Sequence, residues 1–133
     1  MKTSMQLESS DIQKIVAAAE KEAQSHQWAV SIAVVDAGGH LLAFQRLDGA
    51  APLSAKIAVG KARMSAIGNK DTKVYEDMIN GGRTAFVSVS MDSMLEGGIP
   101  IVHNGQCVGA VGVSGVKSPE DAQIARAGVA AVA

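Results

Sequence analysis

The stretch Val30-Ser31-Ile32-Ala33-Val34-Val35-Asp36-Ala37-Gly38-Gly39-His40-Leu41-Leu42-Ala43-Phe44 decides the fold of this chain. Ala29 to Val35 is rich in Val and Ile, Asp36 to His40 supplies turn chemistry, and Leu41 to Leu47 is apolar again. Two apolar runs joined by Gly38-Gly39 read as a β-hairpin, because glycine reaches the positive φ angles of a tight turn at no steric cost. The pattern returns downstream. Ile99 to His103 and Gln106 to Val113 flank Asn104-Gly105, the strongest short hairpin signal, and Pro100 marks an edge or a strand start.

Helices fill the intervals. Ser10 and Gln13 fit a capping box, after which Ile12, Ile15, Val16, Ala19 and Ala23 recur on one face until about His26. Pro52 suits a first helical turn, and Leu53, Ile57, Gly60, Met64 and Ile67 form an apolar stripe that ends at Gly68-Asn69. On the same helix Ser54, Ala58, Lys61 and Ser65 share another face, a polar one that is either solvated or holds an anion. A shorter helix covers Thr72 to Ile79. Residues 83–96 read as mixed, since Phe86 to Ser90 alternate like a strand while Met91 and Met94 fit a helical turn. Ser118-Pro119-Glu120-Asp121 opens the last helix at Pro119. Hairpins with helices between them argue for an α+β layout, an antiparallel sheet covered by helices.

Composition narrows the function classes. The 133 residues make one domain, residues 1–133, and 47% hydrophobic with 19% charged residues rules out disorder. A net charge of −1 gives nucleic acid and anionic lipid no electrostatic purchase. One cysteine, Cys107, excludes an intrachain disulfide or a cysteine cluster, and reads as a small buried hydrophobe. No stretch has the length of a signal peptide or a membrane span, so a cytoplasmic location is expected. The 22 Ala and 14 Gly occupy 36 of 133 positions. Elements with so little side chain must approach closely, and burial between subunits supplements a modest core, so a homo-oligomer, at least a dimer, is expected.

The residues hold few chemical constellations. Gly109, Gly112 and Gly115 are three apart, matching neither a dinucleotide nor a phosphate-loop fingerprint, and inside a strand they admit a helix, a subunit or a flat ligand. His26, His40 and His103 have no metal-cluster spacing, yet one imidazole beside an apolar slot suffices as an axial ligand of a tetrapyrrole iron. His26 and His103, at element ends, are the better candidates for haem iron. Asp48 with Lys61 is the one pair that an enzyme could use as converging acid and base groups, and Lys61 or Arg63 could neutralise propionates.

Val30 to Phe44, Asp48-Gly49-Ala50, Gly60-Lys61-Ala62-Arg63, Gly97-Gly98-Ile99-Pro100-Ile101, Gly109 to Gly115, Asp121 and Ala127-Gly128, in that order, resemble the GlcG/HbpS family, which includes the C-terminal domain of PduO-type corrinoid adenosyltransferases. The resemblance implies a profilin-like sandwich with a five-stranded antiparallel sheet flanked by helices, assembled into homo-oligomers. It also implies a small-ligand-binding accessory protein, with haem or cobalamin as the cofactor class, placed beside glycolate, diol or glycerol metabolism. An enzyme of small hydroxy or keto metabolites and a structural partner of a larger complex stay open as alternatives. Asp48, Lys61, Gly98, Ser114 and Gly115 match motif positions and are expected at a pocket rim, with Gly109 and Gly112 as its flat wall.

Overall fold

The structure, a computed structural model, describes residues 1–89 and 93–133. Its elements run α1 (Ser9–Ser25), β1 (Ser31–Asp36), β2 (Leu41–Arg46), α2 (Pro52–Gly68), α3 (Thr72–Asn80), a 3-10 turn (Thr84–Val89), β3 (Gly98–His103), β4 (Gln106–Ser114) and α4 (Ser118–Ala130). The sheet is antiparallel throughout, in the order β2-β1-β4-β3. Among the described residues it has four strands rather than five: Thr84–Val89 turns as a 3-10 helix, with Phe86 stacked on Tyr75 of α3. Part of the mixed reading of 83–96 falls on Ser90, Met91 and Asp92, which lie outside the described residues.

Both hairpins form where the turn residues place them. Gly39 takes φ 82°, and Asp36 caps its turn by accepting the amide protons of Gly38 and His40. Asn104 and Gly105 take φ 50° and 75°, the left-handed pair that joins twisted strands directly. The helix starts shift by a residue or two. Glu8 rather than Ser10 precedes the first turn, and its amide donates to Asp11 at 2.8 Å; α4 opens at Ser118, where Glu120 accepts the amide of Lys117.

Alternation along the strands builds two unlike layers. Ile32, Val34, Ile99, Ile101, Val111 and Val113 face α1 and α4, against Ile15, Ala19, Ile124 and Ala125. Ala33, Val35 and Ala110 face α2, against Ala58, Ala62 and Ala66. Here the expectation for α2 is reversed. The face carrying Ser54, Ala58, Lys61 and Ser65 is buried against the sheet, while Leu53 is 64% and Ile67 45% exposed. Only small residues let the helix backbone reach the sheet: a Cβ on Gly112 would overlap the Ala58 carbonyl oxygen, and one on Gly98 the Lys61 carbonyl oxygen. The two ends of the apolar stripe, Leu53 and Ile67, are therefore left on the outside while Gly60 and Met64 within it are buried, and β2 is outside too, with Leu41 52% exposed.

Candidate functional site

Concave space collects where the β3–β4 hairpin meets the segment that precedes α1. A cavity of about 300 Å³ lies between Met5, Leu7, Ile101, His103, Val108 and Val132, with Gln6 and the carboxylates of Glu8 and Asp11 on its polar side. A second, of about 390 Å³, is lined by Asp36, His40, Leu42, Cys107 and Val108. Met5, Gln6 and Leu7 border both. The segment lies there because Gln106 holds it at both ends of its amide: the Met5 amide donates to Gln106 Oε1 at 3.3 Å, and Gln106 Nε2 donates to the Thr3 carbonyl at 3.1 Å. Leu7 then reaches Gly109, where an added Cβ would sit 3.0 Å from Leu7 Cδ1 and overlap the Val35 carbonyl oxygen.

The three imidazoles are in different states. The ring of His103, exposed at the end of β3, has no hydrogen-bond partner among the described residues. His40 Nδ1 lies 3.1 Å from Asp36 Oδ1, which fixes the ring and leaves Nε2 facing outward, the arrangement that orients imidazole ligands in metal sites. The Asp36 carboxyl pays some desolvation, which would raise it, but the His40 and Gly38 amides and the His40 ring together hold it below the ordinary range. His26, expected as an iron ligand, is otherwise engaged. Its Nε2 lies 3.1 Å from Glu22 and its ring stacks on Trp28 at 4.2 Å. Gln123 donates to the same Glu22 oxygen at 2.8 Å and, with His26, keeps that carboxyl below its usual range.

The expected rim residues do not converge on one pocket. Lys61 is 1% exposed; its Nζ donates to the Val113 carbonyl at 2.9 Å and to Asp121 Oδ2 at 3.1 Å, while Asp121 Oδ1 accepts the Val116 amide. Burial lowers the Lys61 ammonium and raises the Asp121 carboxyl, desolvation outweighing their attraction. The pair ties α2 to the start of α4 and offers no charge to a ligand's propionates. Gly98 and Gly112 seat α2, Ser114 is buried opposite Ser31, and Gly115, at φ 144°, lies against Ala29 and Val30. Asp48 borders a separate polar hollow beside Trp28, whose lining does not include Lys61. Of the expected residues, His103 lines the hairpin groove and Gly109 lies under Leu7 beside it.

Reading the chain left Thr72, Gln106 and the Lys61–Asp121 pair unremarked. Thr72 Oγ1 donates to the Leu95 carbonyl and accepts the Gly98 amide, fixing the entry into β3. A lysine within an alanine-rich helix turn was the available signal for the buried pair; its partner sixty residues on carries none. Among the described residues no cluster of three or more metal-ligating side chains occurs and no helix is long and apolar enough to cross a membrane.

A four-stranded antiparallel sheet with α1 and α4 on one face and α2 on the other is the architecture of a known family. The family described as haem degrading protein HbpS-like matches residues 7–130, and the chain belongs to it. Protein GlcG of Escherichia coli strain K12 is 53% identical over 114 residues, 86% of this chain and 85% of that one. The crystal structure of a PduOC:heme complex superposes with a TM-score of 0.89 at 25% identity, covering 96% of both chains. A double mutant of Streptomyces reticuli HbpS superposes with a TM-score of 0.89 at 31% identity, covering all of this chain and 91% of that one.

Proposed function

We propose that this protein binds a tetrapyrrole, haem in the first place and a corrinoid such as cobalamin in the second, in the groove at the β3–β4 hairpin, as an accessory protein of small-metabolite pathways such as glycolate utilisation. The observation that carries the reading is His103, a histidine ring without a partner among the described residues, bordering a cavity with an apolar side in a fold shared over nearly its whole length with a haem complex. Ile101, Val108, Leu7 and Val132 supply the apolar surface a macrocycle needs, and the imidazole supplies an axial ligand for iron. Lys61 and Asp121 are buried in each other's company and closed to a substrate, while the acid and base that meet near the groove, Asp36 and His40 at 3.1 Å, border the second cavity. Titration with haem tests it: the Soret band shifts with the native chain and with His26→Ala, and the shift is lost with His103→Ala. A band unchanged by His103→Ala overturns this assignment.

The same reading includes self-association. Leu41, Leu42 and Phe44 on β2, and Leu53 and Ile67 on α2, leave large apolar side chains outside. A second copy of the chain supplies the chemically matched cover. Sedimentation at micromolar concentration gives a dimer or larger particle, and Phe44→Glu shifts it toward the monomer.

A further inference from the structure

We propose that the segment from Thr3 to Leu7 is a displaceable strap that occupies the tetrapyrrole groove, so that ligand and strap compete for one surface. The inference rests on the haem reading for the ligand's identity but on the geometry for the strap. The two cavities at the hairpin share four lining residues, Val108 of β4 on the floor and Met5, Gln6 and Leu7 of the segment above it. Neither cavity alone exceeds the lower range of small-molecule sites, roughly 300–1,000 Å³, whereas a flat macrocycle needs a continuous slot. Lifting the strap joins them into one groove, with His103 bordering one end, His40 the other, and Gly109 and Val108 between.

The strap is held weakly. It lies outside every helix and strand, and its hydrogen bonds to the rest of the fold, among the described residues, are the two to the Gln106 side chain. Its residues are exposed apart from half-buried Leu7, whose side chain fills the space over Gly109. That space is the position a macrocycle edge would take. Gly109 is bare on this face because the Val35 carbonyl excludes a Cβ, and so the floor under the strap stays flat. A cover whose contacts duplicate those of the ligand raises the concentration of ligand needed to bind, by the fraction of time the groove is closed.

Gln106→Ala in the full chain releases the strap while changing none of the residues that line the two cavities, and a chain lacking residues 1–6 removes it. Two probes are titrated against native and altered chains: haem, read at the Soret band, and anilinonaphthalene sulfonate, read by fluorescence as a probe of exposed apolar surface. Loss of two net hydrogen bonds is expected to tighten haem binding about fivefold or more in Gln106→Ala, with the dye enhanced in parallel. Amide hydrogen exchange of residues 3–8 in the native chain is expected to speed up when haem is added. If dye binding rises in Gln106→Ala and in the shortened chain but haem binds none of the chains, the strap stands and the haem reading falls. If haem binds all chains equally and residues 3–8 keep their exchange rates, the strap falls and the haem reading stands.

Discussion

The two faces of the sheet differ in what they present, although the same strands make both. On β4, Val111 and Val113 point to α1 and α4, while Ala110 and Gly112 point to α2. The first face is cushioned by branched side chains from both sides; the second brings helix backbone almost onto strand backbone. A cushioned face yields when a methyl group is added or removed, because neighbouring rotamers share the change. A backbone-to-backbone face has no side chain to move. It also decides the outside of the molecule, since a helix that buries its alanines and serines leaves Leu53 and Ile67 exposed.

The largest effect is expected where the small face holds a charge. Lys61→Ala leaves Asp121 buried without its cation, a change that costs about 3–5 kcal/mol when one partner of a buried pair is removed. Urea unfolding should show it as a lower midpoint at unchanged slope. The sign of its pH dependence follows from Asp121, whose carboxyl burial already raises. A folded-state value above the unfolded one favours the folded form below the ordinary carboxyl range and penalises it as pH rises through the folded value. The deficit of Lys61→Ala should therefore shrink toward acid pH, and Asp121→Asn in the same chain should recover part of it at neutral pH. A deficit that stays constant from pH 4 to 7 would show that lost packing of the lysine stem, not the stranded carboxylate, is the cause.

Gly112→Ala comes next. Its Cβ would overlap the Ala58 carbonyl oxygen and stand 2.9 Å from Ala62 Cβ, so α2 itself must lift, and the cost is expected at the upper end of the roughly 1–3 kcal/mol of overpacking. Across the sheet, Ile32→Val removes one methylene from a fully buried side chain and is expected to cost only about 1 kcal/mol. Equal losses from these two single-carbon changes would dissolve the distinction between the faces.

Much of this frame was legible from local chemistry. Gly38-Gly39 and Asn104-Gly105 announce both hairpins because turn geometry is dictated by the turn residues themselves, and Pro52 and Gly68-Asn69 bracket α2 for the same reason. The orientation of α2 was not legible. Periodicity identifies two faces of a helix, but which one is buried depends on the sheet, and Gly98, Gly112 and Ala110 accept only the small one. Within the stretch read as mixed, the strand-like alternation begins at Phe86, yet Thr84–Val89 turns as a 3-10 helix with Phe86 lying on Tyr75, a contact distant enough in sequence to leave no periodic trace. The expected pocket residues were read as a set because their motifs are adjacent in family order. In space Lys61, Gly98 and Gly112 belong to the helix–sheet contact, Asp48 to the Trp28 hollow, and Gly109 to the hairpin groove. What placed the candidate site was Gln106 and Leu7, whose contacts span about a hundred residues of sequence.

The smallest expected effect has the opposite sign and probes the small face from within. Ser65 is fully buried on α2, and its hydroxyl has no hydrogen-bond partner among the described residues. Elsewhere on this face the polar atoms are matched: Ser54 meets Ser31 at 2.8 Å and Lys61 meets Asp121. An unpaired hydroxyl carries its desolvation cost uncompensated, and alanine is also the better helix former. Ser65→Ala removes one oxygen, adds no volume, and is expected to stabilise the fold by up to about 1 kcal/mol, seen as a higher urea midpoint at unchanged slope. Because the contact here is backbone against backbone, the small void left by the oxygen cannot be filled by a moving side chain, so the gain should fall short of the full desolvation term. A loss of stability in Ser65→Ala would mean that the hydroxyl is satisfied in solution, by a water held between α2 and the sheet, and that the small face is less closely docked than its glycines imply.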